Sequence, residues 1–162
     1  MMNEAHTVYM TLSELLKPEL VLIKAESSSK DELIFKLVEK IIEANLNFHL
    51  SQESLLAAIC KREQIGGTLL PSGLSVPHAR LGDYEGFIFA IGTSKEPILH
   101  DGNPLHLMSV LISSQSGGPY YLPTVAALTK LSRDAEYFSR LSGSANKEEF
   151  FKILKERDPV LG

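Results

Sequence analysis

One histidine, His78, lies in a sequence setting that could support chemistry on phosphorus. It follows Pro77, whose ring fixes its own φ and biases the preceding residue, Val76, toward extended backbone. A neutral imidazole is nucleophilic near pH 7, because an unperturbed pKa of about 6.5 leaves most rings deprotonated on one nitrogen. His78, held on this stiffened segment, could therefore attack a phosphorus atom or accept a proton.

Residues 62–82 around this histidine also carry groups that could bind a phosphoryl group. Phosphoryl transfer mainly requires an in-line nucleophile and neutralisation of the charge on the three equatorial oxygens. The four glycines and two prolines of this stretch predict an irregular loop, whose free N–H groups could converge on an anion. The candidate side-chain donors are Arg62, Arg80, Thr68, Ser72 and Ser75.

Other interpretations of the same residues are open. A loop histidine after a proline is more often a hydrogen-bonded structural residue than a nucleophile. Arg62, near the end of a predicted helix, could simply complement the helix dipole. A general base in a hydrolase would need a nucleophile or an oriented carboxylate, and none is recognisable. The sequence also lacks the Lys-Ser or Lys-Thr of a P-loop and the Gly-x-Ser-x-Gly frame of a nucleophile elbow.

No metal or organic cofactor is predicted. His100, Asp101 and His106 are close in sequence, but they fall in a turn and a strand pattern without an H-E-x-x-H arrangement or a second cluster. The two remaining histidines, His6 and His49, are expected to be solvated.

Composition excludes several classes of protein. A chain of 162 residues with 44% hydrophobic content predicts a single domain, residues 1–162, with a substantial core. The net charge of -4, with no basic cluster longer than Lys61-Arg62, argues against a nucleic-acid partner. The chain shows no apolar run of about 20 residues and no signal peptide, so we expect a cytoplasmic protein that does not insert into a membrane. The single cysteine, Cys60, fits a reducing compartment and is expected to be a small core residue.

Helical and strand patterns alternate along the chain, which predicts an α/β domain with helices on both faces of a mixed sheet. A turn at 100–104 between the last two strands argues against a purely parallel sheet. Residues 1–10 are expected to form a loosely ordered tail. The predicted strands are 20–24, 87–93 and 105–113, and the predicted helices are one after Thr11, 30–46, one after Ser51, 120–131, 135–141 and 147–156.

Several of these residues together resemble a known signature. Arg62-Glu63, then Thr68, then Gly-Leu-Ser-Val-Pro-His-Ala-Arg at 73–80 are similar to the phosphohistidine signature of enzyme IIA domains of the bacterial phosphoenolpyruvate-dependent sugar phosphotransferase system. The branch is the fructose/mannitol one, which includes nitrogen-regulatory and galactitol-type members. The likeness extends from Thr11 to the C-terminal helices, and it implies the family fold, a mixed sheet layered between helices.

The resemblance implies a set of roles. His78 would accept a phosphoryl group from the histidine phosphocarrier protein and pass it to a cysteine on an enzyme IIB, here a separate chain. Arg62 would steady the phosphate and Thr68 would donate a hydroxyl hydrogen bond, while Ser75 and Arg80 remain additional loop donors. Neither a metal nor an organic cofactor would take part, and the sequence does not identify the sugar.

The chain departs from the family pattern at Tyr121. Family members carry a second histidine at the start of the helix after the last long strand, and this chain has a tyrosine there. A phenol can donate one hydrogen bond but stays neutral at pH 7, so it cannot supply the charge of an imidazolium. We still expect Tyr121 near His78, since the Gly117-Gly118-Pro119 break should aim the helix start at the site. The substitution favours an alternative function. The chain would then be a regulatory binding module that signals phosphorylation state by contacting a regulator rather than a transporter.

Overall fold

A mixed sheet of five strands forms the centre of the protein. The structure, a computed structural model, describes residues 10–44 and 50–161. The two long strands are antiparallel neighbours, and every other strand of the sheet is parallel to the one beside it. The strands are β2 (Val21–Ala25), β3 (Leu74–Ser75), β4 (His78–Leu81), β5 (Phe87–Ser94) and β8 (Leu107–Ser114). β2 lies beside β5, and β3 and β4 both pair with the edge of β8 that faces away from β5.

Helices cover both faces of the sheet, as the sequence predicts. Side chains alternate along β5, so that Ile88 and Ala90 pack on one face while Phe89 and Ile91 pack on the other. The first face is covered by α2 (Lys30–Ala44) and α3 (Gln52–Ile65). The second is covered by α1 (Leu12–Leu15), α4 (Tyr121–Arg133), α5 (Ala135–Ser142) and α6 (Lys147–Glu156).

Local hydrogen bonds explain where the helices begin. Thr11 and Glu14 form a capping box, in which each side chain accepts a hydrogen bond from the other residue's backbone N–H. The side chains of Ser51 and Asn146 accept hydrogen bonds from the backbone N–H groups three residues on, at 3.1 and 2.8 Å. Such caps are local in sequence, which is why these helix starts could be predicted.

The stretch predicted as an irregular loop contains two strands. β3 and β4 lie inside residues 62–82, and His78 is the first residue of β4 rather than a loop residue. Both strands are short and are defined by parallel pairing with β8, a contact between segments distant in sequence. The local pattern of glycines and prolines therefore could not show them.

Two further strand pairs were not predicted. The turn at 100–104 closes a hairpin of β6 (Ile98–His100) and β7 (Asn103–Leu105), with positive φ at Asp101 and Gly102 as in a type I′ turn. β1 (Met10–Thr11) pairs antiparallel with β9 (Val160–Leu161).

Some expectations differ or fall outside the described residues. Met10 falls within the predicted loosely ordered tail, but it belongs to β1. The structure does not describe the rest of that predicted tail (residues 1–9, which include His6), His49 or the predicted helix end at residue 46. Cys60 is a free thiol that is only partly buried, because it follows the inward-facing Ile59 on α3. None of the helices within 10–44 and 50–161 is long and apolar enough to cross a membrane.

Candidate functional site

Pairing with β8 positions the candidate nucleophile. His78 lies opposite Leu111 in the parallel register, and the carbonyl of Pro77 accepts the backbone N–H of Leu111 at 3.0 Å. The half-buried His78 ring places Nδ1 3.3 Å from the carbonyl oxygen of Val76. A ring that carries its proton on Nδ1 donates to this carbonyl, which leaves the lone pair of Nε2 free for attack.

His78 lines an open cleft with a cationic wall. The cleft has a volume of about 740 Å³, and it is bordered by α3, β4 and the start of α4. Three of its lining side chains are cationic, and no carboxylate is among the described residues that line it. Such a surface attracts anions. The lining residues are Ala58, Lys61, Arg62, Ile65, His78, Ala79, Arg80, Gln115 and Tyr121.

Arg62 lies at the end of α3 and also lines the cleft. It lies in the last turn of α3, where Nη1 donates to the carbonyl oxygen of Gly66 at 2.9 Å. This bond satisfies a carbonyl at the helix end, which agrees with the alternative interpretation that Arg62 complements the helix dipole. A guanidinium carries five N–H donors, however, and the same side chain lines the cleft with His78. The two roles are therefore compatible.

Tyr121 and Arg80 form a stack beside His78. The Tyr121 ring, buried at the first residue of α4, has its centroid 5.5 Å from that of His78, so the expected proximity is present. The Arg80 guanidinium lies 4.7 Å from the Tyr121 centroid, within cation–π range. His78 and Arg80 are two residues apart on β4 and so point to the same side of the strand. A positive charge thus lies on the ring that contacts the imidazole.

Thr68 and Ser75 are placed differently from the other candidates. The buried Thr68 hydroxyl donates to Glu63 Oε2 at 2.7 Å, and its oxygen lies 3.5 Å from the hydroxyl of the buried Ser75. Neither residue is among those that line the cleft. The Ser72 hydroxyl is directed to Ser132, at 3.0 Å. The structure therefore brings His78, Arg62, Arg80 and Tyr121 together and leaves the three hydroxyls outside their cleft.

Comparison with known proteins identifies the family. The family model described as "Phosphoenolpyruvate-dependent sugar phosphotransferase system, EIIA 2" matches residues 14–157. The chain belongs to this EIIA 2 family. The resemblance seen in the residues around His78 is thereby confirmed for the fructose/mannitol branch, while galactitol-type specificity stays a prediction.

Curated relatives include both transport and regulatory proteins. The chain is 26% identical over 160 residues to the PTS system 2-O-alpha-mannosyl-D-glycerate-specific EIIABC component of Escherichia coli, covering 96% of this chain but only 24% of that protein. It is 24% identical over 148 residues to the nitrogen regulatory protein of Bradyrhizobium diazoefficiens, covering 90% of this chain and 95% of that protein. The EIIA 2 domain thus spans about a quarter of one relative and nearly all of the other.

Solved structures share the fold. The nitrogen regulatory protein IIA-Ntr of Neisseria meningitidis superposes with a TM-score of 0.70 at 23% identity, covering 88% of this chain and 98% of that one. IIA mannitol of Escherichia coli gives a TM-score of 0.68 at 18% identity, covering 86% and 98%. The predicted fold, a mixed sheet between helices as in mannitol-type enzyme IIA, is confirmed.

Sequence reasoning missed several residues at or near the EIIA 2 site. Lys61, Ile65 and Gln115 line the cleft, and Lys30 forms an ion pair with Glu63. Lys61 could have been found, because it directly precedes Arg62. Lys30 could also have been selected from the sequence. A lysine at the first position of a helix opposes the helix dipole, which indicates that it has a specific partner.

The surroundings of His78 favour its neutral form. Burial is the largest cause that lowers the pKa of His78, and the nearby Arg62 and Arg80 lower it further. The hydrogen bond to the Val76 carbonyl and the Glu63 carboxylate act in the opposite direction without reversing the shift. Burial and the two arginines thus favour the neutral imidazole, the form in which one ring nitrogen keeps a free lone pair.

This shift predicts how His78 titrates. An NMR titration of the ring should give a midpoint below the ordinary value of about 6.5, and Arg62→Gln should raise that midpoint. Because the folded state holds the proton less tightly than the unfolded state, the stability linked to neutral His78 is present above about pH 6.5 and is lost as pH falls through the folded pKa. A midpoint at or above 6.5 in the parent protein would contradict this account.

Proposed function

We propose that this EIIA 2 domain is a cytoplasmic phosphocarrier that takes a phosphoryl group onto His78 from the histidine phosphocarrier protein and passes it to a cysteine of an enzyme IIB. The observation that carries the proposal is the half-buried His78, with its lowered pKa, in a cleft lined by cationic side chains. Membership of the EIIA 2 family supports the same chemistry.

The cleft accounts for each part of the transfer. The Nε2 lone pair of His78 attacks phosphorus, the bond from phosphorus to the donor nitrogen breaks, and the donor nitrogen keeps the electron pair. The proton on Nδ1 stays on the ring, held toward the Val76 carbonyl. Arg62 and Arg80 neutralise charge on the phosphoryl oxygens during the transfer. In the second transfer a thiolate of the partner attacks phosphorus. The bond from phosphorus to Nε2 of His78 then breaks, and Nε2 keeps the electron pair.

Apolar side chains near the cleft support protein partners. Ile65, which lines the cleft, is 79% exposed, and Leu122, which follows Tyr121, is 68% exposed. Exposed apolar side chains around a charged centre are typical of protein docking surfaces. A solved complex of mannitol enzyme IIA with phosphorylated mannitol enzyme IIB has a TM-score of 0.69 with this chain, which supports an enzyme IIB partner.

A regulatory role is the second candidate function. The nitrogen regulatory relative is matched along 95% of its length, and Tyr121 stands where the resemblance implies a second histidine. In this alternative His78 is still phosphorylated, but the cleft presents its phosphorylation state to a regulatory protein. The phosphoryl group would then stay on His78 rather than move to an enzyme IIB.

The deciding experiment is reconstitution of the upstream cascade. The purified chain is incubated with phosphoenolpyruvate, enzyme I and the histidine phosphocarrier protein, and acid-labile phosphate is measured by intact-protein mass before and after mild acid. We expect one acid-labile phosphoryl group per chain, and its discharge on addition of enzyme IIB proteins. If no phosphate forms while a known enzyme IIA is labelled in parallel, the proposal is wrong; if it forms but no enzyme IIB discharges it, the regulatory role is favoured.

Tyr121→His is expected to speed phosphoryl transfer, most clearly at low pH. The new imidazole would lie in the position that now contacts His78 and would add positive charge when protonated. The ratio of variant to parent rate should therefore rise as pH falls from 8 to 6, since only the variant gains a positive charge at this position over that range. Single-turnover transfer from the phosphocarrier measures this ratio. A ratio of one at every pH would mean that the tyrosine is an incidental replacement.

A further inference from the structure

A buried ion pair lies behind the segment that leads to His78. The ammonium of Lys30 contacts Glu63 Oε1, and the two side chains are only 5% and 10% exposed. The second carboxylate oxygen, Oε2, accepts the Thr68 hydroxyl at 2.7 Å. Desolvating two charges is costly unless their geometry is good and their remaining hydrogen-bonding capacity is used. Thr68 satisfies Oε2, and among the described residues Oε1 has no hydrogen bond beyond its contact with Lys30, so loss of Lys30 would leave the buried carboxylate charge uncompensated.

The pair is connected to the nucleophile through the backbone. The carbonyl oxygen of Thr68 accepts the N–H of Val76 at 3.2 Å, and the carbonyl oxygen of Val76 lies 3.3 Å from Nδ1 of His78. Glu63 also directly follows Arg62 on α3. One continuous set of contacts thus runs from Lys30 through Glu63 and Thr68 to the two groups that must act together on a phosphoryl group.

The Lys30 ammonium lies beside the backbone that connects Arg62 to Thr68. The position that a Cβ would take on Gly67 lies 3.8 Å from Nζ of Lys30, so the ammonium lies close beside the chain between Arg62 and Thr68. Lys30 is also the first residue of α2, where a positive charge opposes the helix dipole. The ion pair with Glu63 offsets this unfavourable position and holds the ammonium beside the chain.

We propose that Lys30, Glu63 and Thr68 form a positioning network that sets the orientation of the His78 imidazole and holds Arg62 in line with it. The inference rests on the proposed phosphoryl transfer at His78. None of the three residues lines the cleft, so they act through the Val76 carbonyl and through the end of α3 rather than on the phosphoryl group. The hydroxyl of Thr68 is donated to Glu63, which assigns it to positioning instead of phosphate binding.

The test uses two variants and a matched control. Lys30→Met removes the ammonium at similar length and leaves Glu63 unpaired, which could prevent folding. The double variant Lys30→Met with Glu63→Met removes both charges, keeps the volume and leaves Thr68 without its acceptor. Lys40→Met is the control, because this lysine lies on the same helix with a side chain that is 40% exposed.

Two measurements distinguish positioning from stability. In transfer from the phosphocarrier, the double variant should lower kcat at least tenfold with KM nearly unchanged, and Lys40→Met should match the parent. The ¹⁵N shifts of the His78 ring should also report a changed balance between the two neutral tautomers. A double variant that folds and keeps both the parent kcat and the parent ring shifts would overturn the proposal.

The ring shifts also separate this inference from the proposed function. They are measured without any phosphoryl donor, so they test the network even if the parent chain is never phosphorylated. Absence of phosphate on the parent would count against phosphoryl transfer, whereas unchanged ring shifts in the double variant would count against the network.

Discussion

His78→Gln should eliminate acid-labile phosphate from the protein in the reconstituted cascade. Glutamine keeps a polar side chain that can contact the Val76 carbonyl, but it has no nucleophilic ring nitrogen to replace Nε2. Because a covalent intermediate requires that nitrogen, we expect the incorporated phosphate to fall below detection by intact-protein mass. The effect should be the largest of any single substitution in the cleft.

The matched control is His100→Gln. His100 lies in the hairpin of β6 and β7, outside the cleft residues, and its Nε2 lies 3.5 Å from the Asp101 carboxylate. This variant should be phosphorylated like the parent. Circular dichroism and thermal melting should show that both variants fold. Label retained on folded His78→Gln would assign the phosphoryl group to another residue and refute the central role of His78.

Arg62→Gln should slow phosphoryl transfer by about 10- to 100-fold. Charge-assisted hydrogen bonds are worth about 1.5–3 kcal/mol, and each 1.36 kcal/mol corresponds to a factor of about ten in rate. Arg62→Lys should give an intermediate rate, since lysine restores the charge but not the planar fork. Single-turnover rates in both directions, from the phosphocarrier and back to it, measure the loss. Arg133→Gln, an exposed arginine outside the cleft residues, is the control.

Thermal melting distinguishes the helix-end bond of Arg62 from its proposed role at phosphate. The bond from Nη1 to the Gly66 carbonyl contributes to the end of α3, so both substitutions should lower the melting temperature slightly. If Arg62→Gln lowers the melting temperature but leaves transfer rates at the parent value, the arginine serves only the helix end. Slower transfer with a small change in melting temperature supports the role at phosphate.

The helices of this protein were easier to predict from the sequence than its short strands. The starts after Thr11, Ser51 and Asn146 depend on a side chain and a backbone group three residues apart, and such pairs are visible in the chain. β3 and β4 depend instead on β8, which begins more than 25 residues later, and nothing local replaces that contact. The alternation of helix and strand patterns still sufficed for the layered α/β architecture.

Some residues of the candidate site could be predicted from the sequence and others could not. His78, Arg62 and Arg80 could be selected because their residue types suit phosphoryl chemistry and lie within one stretch. The network of Lys30 could not, because Lys30 and Glu63 are separated along the chain and meet only when α2 packs beside α3. Thr68 shows the limit of residue type as a guide: its hydroxyl suits a phosphate oxygen but is directed to a carboxylate.

The pairing of β1 with β9 brings opposite ends of the described chain together. Met10 lies opposite Leu161, and the N–H of Leu12 donates to the carbonyl of Pro159 at 2.8 Å. A domain whose entry and exit points are adjacent can be inserted between other modules of a longer polypeptide without stretching either junction. The same geometry places any fused neighbour on one small area of surface. This topology suits a unit that occurs both within multidomain proteins, as in the EIIABC relative, and over nearly the full length of others, as in the nitrogen regulatory relative.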